Sequence, residues 1–138
     1  MSDNAYVLRV RLIWAKGVWR EIALRGDQTL HEIHLAILDA FEWQENDETY
    51  AFSLEQDFVN LSRVYTPETD DESHQARGVT LDDLGLDEGD QFLYRFGDSE
   101  RNHFPIKVMV LDDVESTASY PDIVDENGES PDQALAYH

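Results

Sequence analysis

Residues Thr29 to Trp43, TLHEIHLAILDAFEW, constrain the fold more than any other stretch of the chain. Thr29 followed by Glu32 is a capping box: the threonine oxygen and the glutamate carboxylate each take a backbone N–H that the first helical turn leaves unpaired. At about 100° per residue, Leu30, Ile33, His34, Ile37, Leu38 and Phe41 fall on one side of the predicted helix. Glu32, Leu35, Ala36 and Asp39 fall largely on the other. An apolar stripe of that width needs a sheet to cover it.

Candidate strands stand on both sides of the helix. Residues 6 to 14, YVLRVRLIW, alternate, with Tyr6, Leu8, Val10, Leu12 and Trp14 pointing one way and Val7, Arg9, Arg11 and Ile13 the other. Ala15, Lys16 and Gly17 make a short connection to VWREIALR, so an N-terminal β-hairpin is expected. After the helix, TYAFSL reads as a short third strand. Residues 55 to 78 show no sustained period and read as a long exposed loop. Thr80 with Asp83 repeats the N-cap logic and Gly85 ends the turn, which predicts a single helical turn over TLDDLGL. A tight DEGD turn leads into QFLYRFG and then, through GDSERN, into HFPIKVMVL, a C-terminal β-hairpin. Pro105 lacks an N–H and is expected at an edge or bulge.

From Asp112 onward the chain carries eight acids, two prolines and no Lys or Arg. This composition predicts an acidic tail over residues 112–138, partly disordered, with Tyr120-Pro121 and Ile123-Val124 docking on the cationic outer face of the first hairpin. The expected organisation is one α+β domain over residues 1–111. It is a β-grasp-like roll with one main helix across a mixed sheet.

Charge narrows the function classes. The 138 residues have a net charge of -20, with thirty acids and ten basic residues. Residues 1 to 25 hold five of the bases against two acids, so the acid lies in the rest of the chain. Such a surface repels phosphate backbones, and direct nucleic-acid binding is disfavoured. Abundant carboxylate is also what keeps a protein hydrated in a salt-rich cytoplasm, where high salt screens the mutual repulsion. With no cysteine, disulfides, thiolate metal ligation and a Cys nucleophile are excluded. No apolar run approaches the ~20 residues of a membrane span, and MSDNAYVLRV has no signal-peptide pattern, so no membrane association and a cytoplasmic location are expected.

Candidate sites are few. His31 and His34, three apart on the helix, are weak metal candidates without a third ligand, and neither a metal nor a cofactor is expected. Gly97, Asp98, Ser99 and His103 cluster at the tip of the last hairpin. There an Asp and a His can polarise a hydroxyl or water, although turn chemistry accounts for every residue but His103. A hydrolytic or metal-dependent enzyme would use His34, Asp98 and His103. Arg9, Arg11 and Arg20 on the first hairpin, with Trp14, Trp19 and Trp43, are candidates for a protein-partner surface; the simpler reading is a solvated face and core lids.

In order, IWAKGVWREI, TLHEIHLAILDAFEW, YAFSL, VTLDDLGLDEGDQFLYRFGD and a late Tyr120-Pro121 resemble the plasmid ORF-three-like family, small proteins of plasmids, transposable elements and bacterial and archaeal chromosomes. Trp19, Arg20, His34, Phe41, Trp43, Tyr94, Phe96, Gly97 and Asp98 match its pattern. Arg95, Ser99 and Glu100 stand where the family has Asp, Asp and Trp, and His103 falls one place late. Ile123 and Ser130 occupy positions where members often carry cysteines. The resemblance implies a compact α+β domain in which His34, Tyr94, Phe96, Gly97 and Asp98 line a shared surface between helix and hairpin. It implies no particular activity. Exposed strand edges and aromatics on the expected scaffold, with no complete catalytic constellation, make a non-enzymatic protein-binding or adaptor module the expected function, with the enzyme as alternative.

Overall fold

The computed structural model describes residues 4–44, 49–55, 57–67, 69, 71–97, 102–113, 119–131 and 133. The elements run β1 (Asn4–Arg11), β2 (Trp19–Arg25), α1 (Leu30–Ala40), β3 (Tyr50–Ser53), β4 (Val64–Tyr65), β5 (Gln91–Phe96), β6 (His103–Asp113) and β7 (Asp122–Asn127). Short 3-10 turns lie at Leu61–Arg63, Glu72–His74 and Asp82–Leu84. The strands form one sheet in the order β4-β3-β5-β6-β1-β2-β7, with the helix packed on one face.

The class is α+β, as expected. Among the described residues the sheet is not mixed, because the six strand pairings are all antiparallel. The last hairpin returns through β6 alongside β1 in the opposite direction, from Asn4↔Asp113 to Val10↔Ile106, with a bulge at Val7/Leu8. Pro105 therefore sits in a central strand and not at an edge. His103 offers its carbonyl to Ile13 N–H, so by the two-residue period the nitrogen of Pro105 also faces the β1 side. The register runs on from Val10↔Ile106 to the Ile13–His103 bond, so Pro105 stands opposite Arg11 and its missing N–H leaves a gap in the ladder there.

Period-two alternation puts Leu8, Val10, Ile22, Leu24, Phe92, Tyr94, Phe96, Phe104, Ile106 and Val108 on the helix side, all buried. They meet Leu30, Ile33, His34, Ile37 and Phe41 from the helix and its end. Each large apolar side chain so buried stabilises the fold by about 1.5–3 kcal/mol. Leu12 continues the pattern past the end of β1, and Trp14 packs partly buried on the same core. The hairpin connection is accordingly longer than the three residues expected.

Both ends of the helix have their backbone groups satisfied. Thr29 caps it, accepting from Glu32 N–H at 3.2 Å. Leu30 N–H donates to Val79, His31 N–H to Ala76 and Ile33 N–H to Thr29. At the other end Glu42 takes a positive φ of 58° and Trp43 N–H reaches back to Leu38 at 2.8 Å, closing the helix at Ala40 instead of Trp43. Ala36, placed on the outer side by the helical wheel, is buried beside Pro121 and Ile123.

Two segments are more ordered than the sequence predicts. The described residues of the expected loop over 55–78 are irregular but folded: β4 pairs with β3, His74 stacks on Tyr65 at 4.9 Å, and Ala76 is wholly buried. Thr80 and Asp83 bond reciprocally, Thr80 N–H to Asp83 Oδ2 and Asp83 N–H to Thr80 Oγ1, as the cap motif predicts, and Gly85 closes the turn at φ 65°. Of the expected acidic tail, Asp122–Asn127 is the seventh strand, paired along the edge of β2 and not laid on the hairpin's outer face.

Candidate functional site

The family-matched residues gather on the buried side of the sheet. His34, 1% exposed, shares a hydrogen bond through Nδ1 with the Tyr94 hydroxyl at 2.6 Å. Its ring stacks on Tyr50 at 3.8 Å, and Phe96 lies 6.3 Å away. His31 bonds the Tyr50 hydroxyl at 2.7 Å, and its ring is 5.6 Å from that of His34. Gly97 N–H donates to Thr49 at the end of the strand. His34, Tyr94 and Phe96 thus come together in an interior aromatic cluster, and Gly97 stands at the end of β5. Asp98 and Ser99 lie outside the described residues.

His103 does not join them. Tyr94 pairs with Phe104, whose ring is on the helix side, 5.4 Å from that of Tyr94; the adjacent His103 therefore projects from the opposite face. There it meets Phe58 edge-on at 5.4 Å. The catalytic grouping of His34 with His103 is separated by the thickness of the sheet. Among the described residues no group of three or more His, Asp or Glu side chains is placed to hold a metal ion.

The partner candidates also divide. Arg20 is buried, with Nε donating to Ala40 and Nη1 to Trp19, Asn127 and Gly128 carbonyls, and its guanidinium over Phe41 at 5.3 Å. It is an internal clamp, not a solvated cation. Trp43 is buried and donates its indole N–H to Pro131. Trp14 lies against the core. Arg9, Arg11 and Trp19 remain, on the face of the sheet that the helix does not cover. Arg9 pairs with Glu21 at 2.8 Å and lies over the Trp19 ring at 4.1 Å.

The register adds Lys107 to this group, opposite Arg9 on β6, while Pro105 falls beside Arg11. Arg9, Arg11, Gln91, Pro105 and Lys107 line a shallow cavity of about 250 Å³. Arg95, stacked over Phe58 at 4.3 Å, extends the cationic strip across β5. Sequence reasoning missed Lys107 and Arg95. Their signal was the alternation itself, since both stand between residues whose side chains enter the core. No helix among the described residues is long and apolar enough to cross a membrane.

The fold has a relative of known structure. A protein of unknown function from Methanosarcina mazei Go1, MM3350, superposes with a TM-score of 0.74 at 14% identity, over 95% of this chain and 73% of that one. No curated protein matches the sequence. The sequence model of the plasmid pRiA4b ORF-3-like proteins, however, matches residues 4–135, and the chain belongs to that family.

Proposed function

We propose that the protein is a non-enzymatic, protein-binding adaptor of the cytoplasm, and that the uncovered face of its sheet receives an acidic segment of its partner. One observation carries this reading: a chain with thirty acids and ten bases sets Arg9, Arg11, Lys107 and Trp19 side by side on an exposed sheet face. Arg11 and Lys107 are exposed and have no carboxylate within ion-pair distance among the described residues. A local cationic strip in an acidic field selects a short acidic segment and repels extended polyanions such as a duplex. The helix packed across the back holds the sheet, and so this surface, rigid. The remaining acid suits a salt-rich cytoplasm.

Affinity capture from the native host at native salt tests it. The wild-type chain is expected to retain a discrete partner, Arg11→Glu with Lys107→Glu to lose it, and Leu35→Glu, on the exposed side of the helix, to keep it. Retention by the double variant contradicts the reading.

A further inference from the structure

The shallow cavity over the cationic strip is built from three neighbouring strands. Gln91 on β5 stands opposite Lys107 on β6, and Lys107 stands opposite Arg9 on β1. Pro105 lines the cavity beside Arg11, two residues further along β1. Residues opposed across such a ladder have Cβ atoms about 4.5–5.5 Å apart, and Arg11 lies on the diagonal from Lys107, within reach of a long side chain. Three cations and one amide therefore ring about 250 Å³, and no acidic residue is among the described residues that line it.

Arg9 is the fixed member of the group. Its Nε and Nη2 both hold Glu21 Oε2 at 2.8 Å, and its guanidinium lies over the Trp19 ring at 4.1 Å. A guanidinium has five N–H donors, so Glu21 leaves most of them to a ligand. Arg11 and Lys107 are exposed and have no ion-pair partner among the described residues. Three cations less the one carboxylate of Glu21 leave the group with two positive charges.

We propose that the acidic segment received on this face is anchored by a phosphorylated serine or threonine, whose phosphoryl group seats among Arg9, Arg11 and Lys107, so that phosphorylation of the partner switches binding on. The anchor rests on the acidic-segment reading and names the group that holds that segment. A phosphoryl group carries about 1.5 to 2 negative charges at neutral pH, which matches the two positive charges of the seat. Its three terminal oxygens diverge and can take donors from β1 and β6 at once. An aspartate or glutamate brings one charge and two oxygens in a single plane, and leaves a cation unmatched. The shallow cavity suits the short stem of serine or threonine. A net charge of -20 around the strip turns away a polyanion, whereas a single phosphoryl group on a short segment meets only the cations.

The test uses the full chain and three fluorescein-labelled peptides of one neutral, glycine- and alanine-rich sequence, with phosphoserine, glutamate or serine at the centre. They are titrated by anisotropy in about 0.15 M KCl. The phosphoserine peptide is expected to bind at least about tenfold more tightly than the glutamate peptide, and the serine peptide to show no binding. Arg11→Gln and Lys107→Gln, both at exposed positions, should each bring the phosphoserine peptide down toward the affinity of the glutamate peptide, while Leu35→Glu leaves it unchanged. Equal affinity for the phosphoserine and glutamate peptides, both lost in Arg11→Glu with Lys107→Glu, would overturn the phosphoryl anchor and leave the acidic-segment reading standing. Equal affinity that survives the double variant would overturn both. Displacement by an equal concentration of inorganic phosphate, or no phosphoserine binding at about millimolar peptide, would also overturn the anchor.

Discussion

Arg20 donates from its guanidinium Nε to the carbonyl of Ala40 at 3.1 Å, tying the second strand to the last turn of the helix. The same side chain bonds the carbonyls of Asn127 and Gly128, where β7 ends, and Ser130 Oγ donates to Phe41 next to Ala40. One buried cation thus joins the helix C-terminus, where the aligned peptide dipoles favour positive charge, to the end of β7.

Arg20→Met removes charge-assisted bonds to buried carbonyls and is expected to lower stability by about 2–4 kcal/mol in urea titrations. Arg20→Lys keeps the charge without the planar fork and should recover only part of the loss. Hydrogen exchange along β7 should accelerate in Arg20→Met more than exchange in β5. Uniform acceleration would mean that the clamp does not act on β7.

His34 and Tyr94 should behave as one unit. Truncating either leaves the other's polar group with one partner fewer in a buried setting, so His34→Phe and Tyr94→Phe are each expected to cost about 1–3 kcal/mol. The double variant should cost less than the sum, with a coupling of at least about 0.5 kcal/mol. Additive losses would show that their hydrogen bond contributes nothing of its own.

Tyr6 donates its hydroxyl to Asp82 Oδ1 at 2.7 Å, and burial first, then that bond and the nearby charges of Asp82 and Asp87, push the phenol well above its ordinary value of 10.0. The native state then holds the proton more tightly than the unfolded chain. This contribution is complete below pH 10 and is lost as pH rises from there through the raised value. Between neutral pH and about pH 11 the wild type should lose stability that Tyr6→Phe does not lose. Gly26 completes this corner. A Cβ there would overlap the Asp82 carboxylate, so Gly26→Ala should be destabilising and should move the alkaline loss toward that of Tyr6→Phe.

With a net charge of -20, self-repulsion opposes the compact state at low ionic strength. The melting temperature should rise as KCl is raised from low to molar concentration, most steeply at the low end where the screening length changes fastest. A melt independent of salt would remove the basis for a salt-rich host.

Local signals carried the helix cap at Thr29, the reciprocal Thr80 and Asp83 turn, and the strands of both hairpins, because each depends on residues within a few positions of one another. Strand order did not follow from them. Nothing near Pro105 shows that strands stand on both sides of it, and nothing near Asp122 shows that β2 has an open edge. Arg20 reads as a surface cation because three of its four carbonyl acceptors, Ala40, Asn127 and Gly128, are far along the chain. The grouping of His34 with His103 failed on parity: an intervening Phe104 facing the core sends its neighbour to the other side.

Photocrosslinking addresses the binding face most directly. Benzoylphenylalanine placed at position 11, beside Lys107, is expected to yield a discrete covalent product with a host protein at native salt, while the same group at position 35 on the helix yields none. The product should disappear when Lys107→Glu is added. No product from position 11, or the same products from both positions, would contradict a partner seated on the uncovered face of the sheet.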